Sequence, residues 1–505
     1  MRLNKTTAAW MVVLSSFITF VITAVMRPRA LYAQTTQSGM FNDLMHKAKA
    51  GDAHAMYELG MDYQRGKLIG LDLPTARQWL EKSAQAGNTR AMNRLGDMYR
   101  DGRGGVSRDC VVAVKWYRLE ADAGASFGLA ALGDCYKKGL GITKDVDQSK
   151  RLFIQAFQVA QRDSQSGDID AMECLGYCYS QGLAVDKDYS HAMKWFRKAA
   201  DGGNTTAMCN IGSLCQKGWG VGKDYTQAMT WYRKAADGGD DYAMGCMGNL
   251  YQNGWGVNKD YTQAMTWYQK AASTGDATAM GCIGDFYQNG WGTEIDYTQA
   301  MKWHQKAADA GNAIAMDNVG FQYAVGLGVK QDYAQTMKWF RQGADAGDAH
   351  AMFDVGGLYY GGVGVPLDYG QALAWYRKAA EAGSVEATYN IGYIYENGLG
   401  VEKDYAQAMT YYRKCADAGM VQAMGSIANM YEKGLGIDQD FAKGMLWFRK
   451  AADSGDNIAM DNIGYMYENG FGVDKDDNQA TSWYRKAAAA GNDHAKKWLS
   501  DHGRQ

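Results

Sequence analysis

Proline is nearly absent from this sequence: three residues in 505, against 62 glycines. Without proline, helices run unbroken, and glycines spaced along the chain end them. An excess of either charge is also missing. The 53 basic and 55 acidic residues leave a net charge of −2. That excludes the basic footprint of a nucleic-acid binder and an acidic tail. Beyond residue 33 there is no apolar run long enough to span a bilayer, so a multi-span membrane protein is excluded too. At 47% hydrophobic and 12% aromatic, the chain is too apolar to stay disordered.

Catalytic signatures are missing as well. There is no P-loop, nucleophile elbow, HExxH helix or dinucleotide fingerprint placed after a strand. The stretch Gly218-Trp219-Gly220-Val221-Gly222-Lys223 looks like a phosphate loop. It joins two helices and recurs with variation, so it reads as helix termination. The seven histidines show no metal-ligand spacing and read as surface or satisfied side chains. These absences predict no enzyme activity, no metal and no cofactor.

What is present begins at the N-terminus. Arg2 and Lys5 precede an uncharged stretch from Thr6 to Met26, followed by Arg27, Pro28 and Arg29. This is the length of a membrane span. Small Ala33 favours an export signal cleaved there, and the flanking arginines favour an uncleaved membrane tether through residues 6–26. Either form predicts export to a bacterial periplasm, free or anchored in the inner membrane.

The remainder is a repeat. Thirteen glycines open successive repeats: Gly51, Gly87, Gly124, Gly167, Gly203, Gly239, Gly275, Gly311, Gly347, Gly383, Gly419, Gly455 and Gly491. From Gly167 onward the period is 36 residues, and earlier steps are 36, 37 and 43. In the repeat at Gly203, Asn204 is a helix cap, and Ala207, Met208, Ile211 and Cys215 form one helical stripe. Gly218, Gly220 and Gly222 end that helix. Asp224 caps a second one, with Gln227 forming a capping-box-like pair. Tyr225, Ala228, Met229, Tyr232, Ala235 and Ala236 make its apolar stripe. One such hairpin cannot bury its own apolar face, but stacked neighbours can.

The pattern Gly-Asp-x-x-Ala-Met-x-x-Ile-Gly-x-x-Tyr-x-x-Gly-x-Gly-Val-x-Lys-Asp-Tyr-x-Gln-Ala-Met-x-Trp-Tyr-Arg-Lys-Ala-Ala resembles the Sel-one-like repeat family, relatives of the tetratricopeptide repeat with a longer glycine-rich loop. The resemblance implies an all-α, right-handed α/α superhelical solenoid of about twelve 36-residue helix-turn-helix repeats. It also implies a scaffold that binds a protein or peptide partner at the cell envelope, with first helices lining the concave surface. The expected organisation is a signal or anchor over 1–33, a linker and capping helix over 34–50, twelve repeats over 51–490 and a cap over 491–505. Seven extra residues in the repeat at Gly124, near Leu152 to Ser164, predict a lengthened second helix.

The nine cysteines are an odd number, so at least one thiol is unpaired within the chain. Cys246 and Cys282 share a repeat position. Packed helices lie about 8–10 Å apart, beyond the roughly 7 Å a disulfide allows. Cys174 and Cys178, one helical turn apart, read as buried thiols ahead of two metal ligands. A cysteine-rich branch of the family carries bridges within each repeat. Cys415 falls near such a position but has no partner, so that feature is not carried over.

Binding residues are sought off the core. Phe321, Phe353, Tyr360, Tyr389 and Tyr393 project from first-helix positions expected to face outward and form a candidate anchor for an extended peptide or partner helix. The alternative is that these rings fill gaps inside the superhelix. Trp219, Trp255 and Trp291 recur at one loop position, where other repeats hold leucine or phenylalanine. They read as apolar plugs or, if exposed, as a ladder for peptidoglycan. The competing function is a cell-wall-directed enzyme or a penicillin- or peptidoglycan-binding protein.

Overall fold

A computed structural model describes residues 39–65, 72–102, 104–106 and 108–503. The signal or anchor expected over 1–33 lies outside the described residues. Among those described, the chain is helical with no strand: a helix over 39–49, then paired helices from Ala53–Arg65 to Asp493–Asp501. Nearly all of these are 13 residues long. The second helix of the repeat at Gly124 runs Val146–Ser164, 19 residues, which is the expected lengthening.

The repeat at Gly203 shows why each pair forms. Asn204 accepts a hydrogen bond from the Ala207 amide and starts the helix Thr205–Lys217. Gly218 ends it in the left-handed conformation, φ 73°. Two residues on, Gly220 has φ 71°, and a Cβ there would lie 2.6 Å from the Tyr189 carbonyl carbon. Asp224 then caps the helix Tyr225–Asp237 by accepting from the Gln227 amide. The expected capping box is not how the cap closes. The Asp224 amide donates to the Cys215 carbonyl of the first helix at 2.9 Å, and the Gln227 side chain bonds the Asp224 carboxylate instead. The same nine-residue closure recurs from Asp145 to Tyr136 and from Asp476 to Tyr467. It ties the two helices of each hairpin together where side-chain capping alone would not.

Within the hairpin, a ring on the second helix fits a glycine notch on the first. Tyr232 lies against Gly212, Tyr268 against Gly248, Tyr376 against Gly356, Tyr412 against Gly392 and Tyr484 against Gly464. A Cβ at any of these glycines would sit under 3 Å from the ring. These tyrosines are among the largest fully buried side chains. Alanines such as Ala228, Ala235 and Ala264 let the helices approach closely. Neighbouring repeats are joined by an arginine of one second helix donating to a tyrosine hydroxyl of the next first helix: Arg233 to Tyr251, Arg377 to Tyr395 and Arg449 to Tyr467.

The chain divides into two compact bodies, one ending at Gly311 and the other beginning at Asn312. In the N-terminal body the first helices face one another across a curl. Arg90 pairs with Asp170, 80 residues away, at 2.6 Å. Arg94 pairs with Asp241, 147 residues away, at 3.4 Å. All four lie on first helices, so that face is the inner one. In the C-terminal body, the neighbouring first helices Ala313–Val325 and Ala349–Gly361 touch directly.

Candidate functional site

The position ten residues after each opening glycine separates the two bodies. In the N-terminal body it holds mostly polar residues that receive the hydroxyl of a buried tyrosine, or its equivalent. Tyr117 donates to Asp97 at 2.7 Å, Tyr268 to Asn249 at 2.7 Å, and the buried His304 meets Asp285 at 3.1 Å. In the C-terminal body Tyr412 donates to Glu396 at 2.6 Å and Tyr484 to Glu468 at 2.8 Å, three residues further along the first helix. That position already serves Tyr232 through Gln216 and Tyr268 through Gln252 in the N-terminal body. Phe340, in its own notch against Gly320, has no hydroxyl to satisfy. The tenth position carries Phe321, Tyr393 and Tyr465, all exposed, with Gly357 and Asn429 in the intervening repeats. Phe321 is 43% and Tyr393 41% accessible.

The expected aromatic patch is therefore only partly a surface. Phe353 packs on Tyr376 with ring centroids 5.5 Å apart. Tyr389 packs on Tyr412 at 5.2 Å, and its hydroxyl meets Ser426 at 3.1 Å. Both rings help cover the core of their own hairpin. Tyr360 lies edge-on to Tyr369 at 5.4 Å and is hydrogen-bonded with Tyr393. Phe321 stands one first helix away from Phe353 and two from Tyr393. Tyr465 extends the same column and was missed by sequence reasoning, although its repeat position alone would have found it.

The tryptophan ladder is built into the packing. Trp219 stacks on Tyr189 at 4.9 Å, Trp255 on Tyr225 at 5.4 Å and Trp291 on Tyr261 at 5.9 Å. Each loop ring lies flat on the first residue of the preceding repeat's second helix. A lysine stands over the tyrosine: Lys223 over Tyr225 and Lys259 over Tyr261. Trp219 and Trp255 keep part of their surface exposed, so they act as staples as well as the apolar plugs expected.

A second polar feature belongs to the N-terminal body. A cleft of about 470 Å³ is lined by Arg94, Asp97, Arg100, Lys217, Trp219 and Asp241 among others. Its charges are largely spoken for: Arg94 is paired with Asp241, and Arg100 with Asp97 and Asp101. Beside the Arg90–Asp170 pair, Glu173 accepts from the Asn204 amide group at 2.7 Å. Burial pushes its carboxyl up to about 8, against the opposing pull of that bond.

All nine cysteines are free thiols. Cys174 is hydrogen-bonded with Cys178, and this bond and burial hold its thiol well above the ordinary range.

One constellation departs from the expectation that the histidines show no metal-ligand spacing. His350, one residue into the helix Ala349–Gly361, lies 2.8 Å from Asp317 of the preceding first helix and 3.6 Å from Asp354 one turn on. Burial pushes Asp354 up to about 7, with the charge of Asp317 adding and that of His350 opposing. His54, His350 and His494 in fact share one repeat position, a regularity legible in the sequence.

The Sel1 repeat model matches twelve segments between residues 53 and 492. Among solved structures, the protective antigen c5321 of uropathogenic Escherichia coli, which displays an SLR fold, is 29% identical. The match covers 91% of this chain and 97% of that one, with a TM-score of 0.51. A Sel1 repeat protein from Oxalobacter formigenes is 37% identical over 48% of this chain and 98% of its own, with a TM-score of 0.44. No curated protein matches the chain at a significant level. The repeat period, the paired helices and twelve successive family matches agree: the chain belongs to the Sel1 repeat family, whose members generally mediate protein–protein interaction.

Proposed function

We propose that this chain is a non-enzymatic, exported scaffold that holds a protein or peptide partner on the first-helix face of its C-terminal body. One observation carries the reading: Phe321, Tyr393 and Tyr465 are exposed at one repeat position, while the hydroxyls of Tyr412 and Tyr484 are served by Glu396 and Glu468. Large rings left in water cost free energy that burial against a partner recovers, at about 25 cal/mol per Å². Aromatic anchors are the side chains that dominate such contacts. The apolar stretch Thr6–Met26 supports export or tethering. So does the likeness to a protein described as a protective antigen of uropathogenic Escherichia coli.

Photo-crosslinking tests this. A crosslinking residue at 321 or 393 should trap one discrete partner in the native envelope, and the combination Phe321→Ala with Tyr393→Ala should abolish its capture. A crosslinker at 446, where Leu446 is exposed on a second helix, should not trap it. Equal trapping from both faces would sink the proposal. The peptidoglycan reading through Trp219, Trp255 and Trp291 is weaker, because one face of each ring is already stacked on tyrosine.

A further inference from the structure

We infer that Asp317, His350 and Asp354 form a binding site for a divalent transition-metal ion on the C-terminal body. One ligand atom from each residue falls within 4.8 Å of the other two. Ligands about 2.0–2.2 Å from a tetrahedral ion stand roughly 3.3 Å apart, so little movement is needed to enclose one. The His350 Nδ1 separations of 2.8 and 3.6 Å from the two carboxylates bracket that spacing.

Two further observations point to a ligand. Asp317 is 93% buried, and its carboxylate is directed at His350 through Oδ2, while its buried Oδ1 has no hydrogen-bond partner. A buried carboxylate that is incompletely satisfied is costly, and a cation offsets that cost. His350 is also 70% exposed at its side chain, so the site opens to solvent, which gives an ion a way in. In the metal-free state the His350 Nδ1 stands between the two carboxyl groups. Binding M²⁺ puts the Nδ1 lone pair on the metal, and any proton held there leaves to solvent.

The donor set chooses the metal. One imidazole with two carboxylates favours zinc, cobalt or nickel over calcium and magnesium, which take oxygen alone. Three protein ligands leave at least one position for water or an outside ligand. The chain also carries an internal control. His494 meets Asp461 in the same arrangement, at 2.9 Å. Four residues after His494 stands Trp498 where the other cluster has Asp354. That cluster lacks its third ligand.

The test is titration of the metal-free full-length chain with Zn²⁺ by calorimetry and with Co²⁺ by absorption. One tight equivalent is expected. His350→Ala and Asp354→Asn should each weaken it at least tenfold, and His494→Ala should leave it unchanged. Because nine thiols compete for the ion, the Co²⁺ spectrum should show d–d bands without a thiolate charge-transfer band. Equal Zn²⁺ binding by the wild type and His350→Ala would overturn the assignment, as would the absence of a saturable equivalent or a thiolate band. His350 is exposed, so its replacement leaves the fold intact, and unchanged helical circular dichroism will show that.

Discussion

The two bodies use one repeat for different ends. In the N-terminal body the first-helix face is held shut: Arg90–Asp170 and Arg94–Asp241 reach across it, and Asp97, Asn249 and Asp285 serve buried groups. In the C-terminal body, Glu396 and Glu468 alone receive the hydroxyls of Tyr412 and Tyr484, where Gln216 and Gln252 share that work in the N-terminal body, and the tenth positions of three repeats hold exposed rings. The lesson is that a solenoid can leave a surface column in water where a second position already serves the buried hydroxyl. A tyrosine hydroxyl cannot be left buried and unsatisfied.

The largest effect should come from the notch that both bodies share. Gly392→Val puts a branched side chain where even a Cβ would lie 2.8 Å from the Tyr412 ring. We expect a loss of about 3 kcal/mol or more, seen as a lowered urea midpoint.

Next is the closure that only the N-terminal body has. Arg94→Ala leaves Asp241 buried and short of its ion-pair partner. It should cost roughly 1–3 kcal/mol, read as faster amide exchange in the helices Thr89–Asp101 and Asp241–Asn253.

Acidity sharpens the contrast. Glu173 is protonated in the folded N-terminal body up to about pH 8, while an unfolded glutamate ionises near 4.5. Unfolding therefore releases a proton between these values. The stabilisation is complete below about pH 4.5 and falls as pH rises to about 8, by at most about 1.4 kcal/mol per unit. Glu173→Gln should flatten that slope in urea melts taken across this range. An unchanged slope would mean that the carboxyl is ionised in the fold.

A smaller gain is expected at Ala184, which alone among the described non-glycine residues has a positive φ, 62°. Ala184→Gly should raise stability by about 1 kcal/mol in thermal melts by relieving left-handed strain. The smallest stability effect belongs to Phe321→Ala with Tyr393→Ala. These rings are exposed, so the melting temperature should hold while partner capture is lost. A large drop would make them structural and erase the distinction between the bodies.

Much of this was legible from spacing alone. The period, the glycine ends, the aspartate caps and the lengthened helix Val146–Ser164 are local properties, fixed by which residues lie within a few positions of one another. The exposed half of the aromatic set was legible too. For Phe353 and Tyr389 the spacing left two alternatives open, because a helical wheel cannot show the ring of a partner helix, and both lean on the buried tyrosine of their own hairpin. The Asp317–His350–Asp354 cluster was missed because its members come from two repeats and meet only when those repeats stack.

The sequence by itself determined the unit and its recurrence, since capping, glycine termination and an apolar stripe act over one or two helical turns. Only the tertiary structure decided which columns stay in water. That depends on where each buried hydroxyl finds its acceptor and on which first helices meet across the curl, and such choices are made between residues tens of positions apart.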